Sequence, residues 1–158
     1  LAFRAEQTAA AFIAAMQVNV VAPFLFAREL AGALAGSTDG NIVNIASIYG
    51  LVASDPRLYH DTQMVTPIAY ATSKAGLIQM TRSLATELAP SVRVNAVAPG
   101  GIHRQQPDVF VERYISRTPL QRMASEADIV GAVLWLGSPS AGYVTGQCLA
   151  VDGGWTAW

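Results

Sequence analysis

Tyr70 and Lys74, in the stretch AYATSKAGL, are the first residues here whose types and spacing could do chemistry. On a helix, residues four apart share a face with Cβ atoms about 5–6 Å apart, so both side chains can address one small molecule. A free phenol, with a pKa of about 10, is a poor proton shuttle at neutral pH, and a nearby ammonium favours its phenolate. Lys74 is the only lysine in the chain; the other nine cationic side chains are arginines. An ammonium is a compact charge with three rotatable donors that can serve a sugar hydroxyl and a water together, whereas a guanidinium is a wider planar fork. Ala71, Thr72, Ser73, Ala75 and Gly76 are small, so a partner can approach this helix closely. The spacing alone equally suits a surface lysine beside a packed tyrosine, and its weight comes from the neighbours.

Three other features point to the same chemistry. Ser47 ends the apolar run NIVNIAS, where a hydroxyl can be pinned at the edge of a sheet. Pro99-Gly100-Gly101 ends the run VRVNAVA, and glycines there let backbone approach a ligand. Asn19 lies four residues before Pro23, which has no N–H, so within a helix the Asn19 carbonyl loses its regular donor and becomes a seat for a water. Each also has a plain structural reading: a turn serine, a glycine turn and a proline kink.

These residues need elements to position them. Residues 6–35 read as a long helix, with Phe12, Met16, Val20, Phe24 and Leu34 near one face and Pro23 inside it. The β-branched run 41–47 reads as a buried strand after the STDG turn. An irregular stretch over 50–67 follows, then a helix over 68–89 ended by Pro90 and a strand over 92–98. A short helix around 107–116, a helix to Leu136 opened by Ser125 and Asp128 as a capping box, and a strand over 147–151 complete the chain. Alternating helices and strands imply an α/β fold with a parallel sheet, in which ligands sit beyond the carboxyl ends of the strands. Ser47 and Pro99-Gly100-Gly101 fall at such ends.

Composition narrows the function classes. The 158 residues are 52% apolar and 13% charged, enough for one domain with a core, and the net charge of −1 with no basic stripe argues against a nucleic-acid partner. One cysteine, Cys148, cannot form an internal disulfide, and no His/Cys cluster offers a metal site, which suits a reducing, cytoplasmic setting. No run of about 18 uninterrupted apolar residues suggests a membrane span, and the start, LAFRAEQTAAAF, lacks a signal-peptide pattern.

In chain order, Asn19, Ser47, Tyr70, Lys74, VRVNAVAPGGI and the terminal GQCLAVDGGW resemble the short-chain dehydrogenase/reductase family almost from end to end. The resemblance implies a Rossmann-like doubly wound parallel sheet, here its C-terminal part of about three strands with crossover helices. It implies hydride transfer between NAD or NADP and a carbonyl or alcohol substrate. Tyr70 would be the general acid/base, Ser47 would hold the substrate oxygen, and Lys74 would favour the Tyr70 phenolate and bind the nicotinamide ribose. Asn19 would hold a relay water, and the loop Pro99, Gly100, Gly101, Ile102 would lie against the nicotinamide. The family resemblance also implies a homotetramer or homodimer, through a four-helix interface of the helices at 6–35 and 68–89 and a second interface of the last helix and strand.

Two departures from the family stand out. No glycine-rich dinucleotide loop occurs, so residues 1–158 are expected to be the catalytic part of one domain whose cofactor-cradling part is absent from the chain. The stretch LVASDPRLYHDTQMVTP, 51–67, separates Ser47 from Tyr70 more than is usual, and carries Asp55, Arg57, Tyr59, His60 and Asp61. A polar insertion there suits a polar substrate such as a sugar, and it resembles a branch of the family tied to flagellin glycosylation and nonulosonic-acid sugar biosynthesis; it could equally be a surface loop. The stretch HRQQPDVFVERY, 103–114, occupies the place of the substrate lid, with Arg104 where the family often has a threonine. Two rivals remain: a non-catalytic relative acting as a binding or scaffold protein, and a serine hydrolase built from Ser47, Asp55 or Asp61, and His103. The second lacks the Gly-x-Ser-x-Gly elbow.

Overall fold

The computed structural model describes residues 7–158. Its helices are α1 (Ala9–Met16), α2 (Ala22–Ala35), α3 (Ile68–Glu87), α4 (Asp108–Ser116) and α5 (Glu126–Leu136), and its strands are β1 (Asn41–Ile45), β2 (Arg93–Pro99) and β3 (Cys148–Val151). All three strands are parallel in the order β1-β2-β3, with Asn41 opposite Arg93 and Ala96 opposite Cys148. The expected α/β architecture is therefore present, with most element ends moved by one or two residues. The first helix starts at Ala9 behind the Thr8 cap, three residues after the expected start at residue 6, which itself lies outside the described residues.

Strand β2 shows why the sheet is layered. Its residues 94–98 are all buried, as a central strand covered on both faces requires. Val94 packs with Ala85 of α3, with Leu34 of α2 against the same cluster, and Ala96 and Ala98 pack with Ile78. Val97 packs on the opposite side with Ile129 and Leu136 of α5. A fourth cluster gathers Ile48, Leu58, Phe110, Tyr114, Met123 and Trp155, beyond the carboxyl ends of the strands. Asn95, within this dry sheet, is satisfied by Val144 and Gln147: its Nδ2 donates to the Val144 carbonyl at 2.8 Å and its Oδ1 accepts from the Gln147 N–H at 3.0 Å.

The long first helix is continuous through Pro23 because it widens ahead of it. Gln17–Val21 form a π-turn, and the Ala22 N–H reaches back five residues to the Gln17 carbonyl. The helix thus passes Pro23 without a break. The run Ala9–Ala35 spans 27 residues and holds an 18-residue stretch with a mean hydropathy of 1.9, long and apolar enough to cross a membrane, which qualifies the expectation drawn from uninterrupted apolar runs. Its inner side, with Ala15, Met16, Asn19 and Val20 half-buried, lies on α3. The helices meet closely at Gly76, where a Cβ would stand 3.4 Å from Val20 Cγ2, within ordinary contact. The small residues of α3 thus serve helix packing as well as any ligand.

Candidate active site

The site forms where β1 and β2 end against the N-terminal half of α3. After Ile45 the chain leaves the sheet, and Ser47 caps a 3-10 turn, Ile48–Gly50, its Oγ accepting from the Tyr49 N–H at 3.2 Å. That turn sits directly on α3: a Cβ on Gly50 would lie 2.7 Å from the Lys74 carbonyl carbon and 2.8 Å from its oxygen. Main-chain contact therefore fixes the height of Ser47 along α3. Ser47 is buried and Tyr70 half-buried, and both line one cleft of about 370 Å³.

Lys74 lies behind Tyr70, with Nζ 5.8 Å from the phenol ring centroid. It donates to the Ile45 carbonyl at 2.7 Å, the last residue of β1. Burial lowers its pKa from the ordinary lysine value. One of three ammonium donors is thus spent on the sheet edge, and two remain. Asn19 reaches the same helix by its side chain, Nδ2 donating to Ser73 Oγ at 3.0 Å, while Ser73 Oγ donates to the Tyr70 carbonyl at 2.8 Å. The sequence directs attention to the Asn19 carbonyl; the structure adds a side-chain bond that ties the π-turn to the turn of α3 carrying Tyr70.

The Pro99–Ile102 loop closes the cleft floor, with Pro99, Gly100 and Gly101 in its lining. Its glycines answer to the protein itself. A Cβ on Gly100 would lie 2.8 Å from Asp152 Cα, and one on Gly101 would meet Met123 Cε and Tyr114 Cζ at 2.8 Å. The Gly101 N–H donates to Tyr114 Oη at 2.6 Å, and burial pushes the Tyr114 pKa up to about 12. Ile102 follows as a one-residue bridge to Ala124, and its carbonyl accepts from Gln106 Nε2 at 2.8 Å.

The 51–67 insertion is a wall of the cleft. It folds inward on Leu58, caps a 3-10 turn with Asp55, and brings Tyr59, Met64, Val65, Thr66 and Pro67 into the lining. Ion pairs tie it to α4: Arg117 meets Asp55, and Arg113 meets Asp61 and the His60 carbonyl. Arg117 also lies 4.9 Å over the Trp155 ring. Two hydroxyl contacts, Tyr49 to Tyr59 and Tyr59 to Thr66, both 2.6 Å, run along this wall. The sequence singles out Tyr59 but not Tyr49, Thr66, Gln106 or Tyr114; the partners of Tyr49 and Tyr114 come from other elements, and Thr66 and Gln106 bond within their own loops, where no motif marks them. His60 and His103 are outside the cleft, and Asp55 and Asp61 are spent on arginines, so the hydrolase triad is not assembled. Arg104 is exposed and pairs with Glu126.

Comparison with known proteins follows the same lines. A family model described as enoyl-(acyl carrier protein) reductase matches residues 3–156. Galactitol 2-dehydrogenase (L-tagatose-forming) of Cereibacter sphaeroides is 38% identical over 151 residues, covering 90% of this chain and 56% of that protein. Post-translational flagellin modification protein A of Campylobacter coli is 38% identical over 117 residues, covering 73% of this chain and 46% of that protein. A short-chain dehydrogenase from Leptospira borgpetersenii serovar Hardjo-bovis, solved with bound NAD+, superposes with a TM-score of 0.85 at 40% identity, over 94% of this chain and 57% of that one. The chain thus spans about half the length of the relatives it matches.

Proposed function

The chain belongs to the short-chain dehydrogenase/reductase family, and on that premise we propose that it carries the catalytic part of an NAD- or NADP-dependent oxidoreductase acting on a carbonyl or alcohol substrate, of which a sugar or sugar alcohol is the favoured class. One observation carries this reading: Ser47 and Tyr70 face one cleft floored by Pro99-Gly100-Gly101, with the single lysine directly behind the phenol. Ser47 holds the substrate oxygen. Tyr70 takes the hydroxyl proton in oxidation and returns it to the forming alkoxide in reduction. Lys74 stabilises the phenolate and offers its two free donors to the ribose hydroxyls, a fit supported by its half-buried, singly bonded ammonium. The nicotinamide, when bound against Pro99–Ile102, supplies or accepts the hydride. Asn19 holds the π-turn on the catalytic turn, and its carbonyl, denied a donor by Pro23, seats a relay water behind Lys74.

The phosphates and adenosine of the cofactor find no glycine-rich cradle in this sequence, so their seat lies outside these residues. Phe12, Ile13, Phe24, Phe26 and Leu30 are exposed along α1 and α2, which supports association as a homotetramer or homodimer. A cytoplasmic location goes with a nicotinamide-dependent reaction. One relative is a galactitol 2-dehydrogenase, and the neutral, hydroxyl-lined cleft supports the same class here.

The test is Tyr70→Phe in the protein that carries this chain. NADH or NADPH binding, read by nicotinamide fluorescence, should persist, while turnover drops by about 10²–10⁴-fold. Turnover at the parent rate would exclude Tyr70 as the proton carrier and favour a differently organised site.

A further inference from the structure

The cleft has an unusual electrostatic character for a site beside so many arginines. Among the described residues, its polar lining consists of hydroxyls and one amide: Ser47, Tyr49, Tyr59, Thr66, Tyr70, Tyr114 and Gln106. No lysine, arginine, histidine, aspartate or glutamate lines it. Arg57, Arg113 and Arg117 stand beyond the wall and are spent on Asp55, Asp61 and the His60 carbonyl. Gln106 is largely used by the loop: its Oε1 accepts from the Arg104 N–H at 2.6 Å and its Nε2 holds the Ile102 carbonyl. A carboxylate or phosphate entering this space would leave water with no cation to meet it, a loss that a neutral hydroxyl compound does not suffer.

What the wall offers instead is a ladder of three hydroxyls. Tyr49 Oη, Tyr59 Oη and Thr66 Oγ1 are linked in series at 2.6 Å per step. Three hydroxyls own three protons and use two in the two internal bonds. One donor is left at one end, with free lone pairs at the other, and a concerted turn of the protons exchanges the ends. Such a ladder presents a donor or an acceptor as needed, which matches an alcohol or a ketone. It does not match an anion, which wants several donors at once. Burial first, then the Tyr59 hydroxyl, pushes the Tyr49 pKa well above the ordinary tyrosine value, so its end of the ladder stays neutral. Ile48, Met64, Val65, Phe110 and Met123 supply an apolar side for a carbon chain. The cleft, about 370 Å³, is near the small end of small-molecule sites, about 300–1,000 Å³.

We propose that the Tyr49–Tyr59–Thr66 ladder is the specificity element of this site, reading a second hydroxyl of a small uncharged polyol or ketose while Ser47 and Tyr70 hold the reacting one. The proposal rests on the dehydrogenase reading above and adds to it a substrate charge and three residues. The experiment uses the protein that carries this chain, with NAD+ and NADP+, against hexitols (galactitol, sorbitol, mannitol), their aldonates (galactonate, gluconate, mannonate) and 2-hexanol. The best hexitol should exceed the best aldonate at least tenfold in kcat/KM. Its preference over 2-hexanol should fall at least tenfold in Thr66→Val, a near-isosteric change that keeps the wall packed, and likewise in Tyr59→Phe. An aldonate used as well as the best hexitol overturns the proposal, as does a hexitol preference that both substitutions leave intact. No turnover of any hexitol also overturns it; retained enhancement of NADH or NADPH fluorescence would then leave the dehydrogenase reading standing, and its loss would remove both.

Discussion

The two sides of the cleft are built by different means. On the chemical side, Ser47, Tyr70 and Lys74 are held through main chain: the Gly50 turn lies against the Lys74 carbonyl, and Lys74 itself is tied to the Ile45 carbonyl. On the insertion side, side chains hold side chains: Arg117 to Asp55, Arg113 to Asp61, and the hydroxyls of Tyr49, Tyr59 and Thr66 to one another. Main-chain contacts leave little room to move, which suits groups that must meet a reacting atom in one geometry. Side-chain contacts can be exchanged one at a time without disturbing the sheet, which suits a wall that selects substrates.

Lys74 offers the largest effect with which to break this contrast. Lys74→Met keeps much of the volume and removes the charge, so turnover should fall by about 10²–10⁴-fold, as for loss of an acid/base group. Stability should hold or rise. Burial lowers the folded-state pKa of Lys74 below its ordinary 10.5, so between those values the unfolded chain binds more protons and the parent gains stability as pH rises. Below that window the parent carries the full cost of a half-buried ammonium, and the methionine variant carries none. Urea titrations from neutral pH up to 10.5 should show the gap in favour of Lys74→Met closing as pH rises. A parent that is more stable than Lys74→Met at neutral pH would mean that the Ile45 bond outweighs desolvation, making Lys74 a structural fastener as well.

Gly50→Ala comes next and strikes the main-chain side alone. A methyl 2.7–2.8 Å from the Lys74 carbonyl must push the 3-10 turn off α3, since backbone on both sides cannot give way. The expected cost is about 1–3 kcal/mol, the range for overpacking. Because Ser47 rides on that turn, kcat should fall even where an osmolyte restores stability. Unchanged stability and kcat would show that the turn is more compliant than its contacts imply.

The same contrast governs what the sequence reveals. Apart from the start of the first helix, element ends agree within one or two residues because Pro90, the Ser125–Asp128 capping box and the β-branched runs act locally. Tyr70, Lys74, Ser47 and the Pro99–Ile102 loop are legible for a related reason: the chemistry they suggest needs a residue type at a set place on an element. The π-turn is half legible, since Pro23 announces a missing donor but not how the helix absorbs it. Tyr114 carries no signal because its partner lies in another element, and Thr66 and Gln106 bond within their own loops, where no turn or cap motif announces them. Tyr114 meets Gly101, thirteen residues away, and Arg117 meets Asp55 across sixty-two. The glycines of the loop suggest room for a ligand, yet Asp152, Met123 and Tyr114 already require them.

The smallest expected effect tests the insertion side. Hydrogen bonding from the Arg57 guanidinium is the largest influence holding the Asp55 carboxyl at about 2, and the charge on Arg117 adds to it. A carboxyl depressed in this way contributes stability above its ordinary 3.8, and that contribution is lost as pH falls through about 2. Asp55→Asn should therefore cost at most about 1 kcal/mol at neutral pH, discounted for solvent screening of the Arg57 side. It should also flatten the acid limb of the stability curve between pH 3.8 and about 2. The kinetic signature differs from that of the catalytic helix: KM for the best hexitol should rise while kcat changes little, because the wall loosens and Tyr70 stays in register. A fall in kcat with KM unchanged would mean that the Arg117–Asp55 tie reaches the reacting atoms through α4 and the Tyr114–Gly101 bond, and that the two sides of the cleft are one mechanical unit after all.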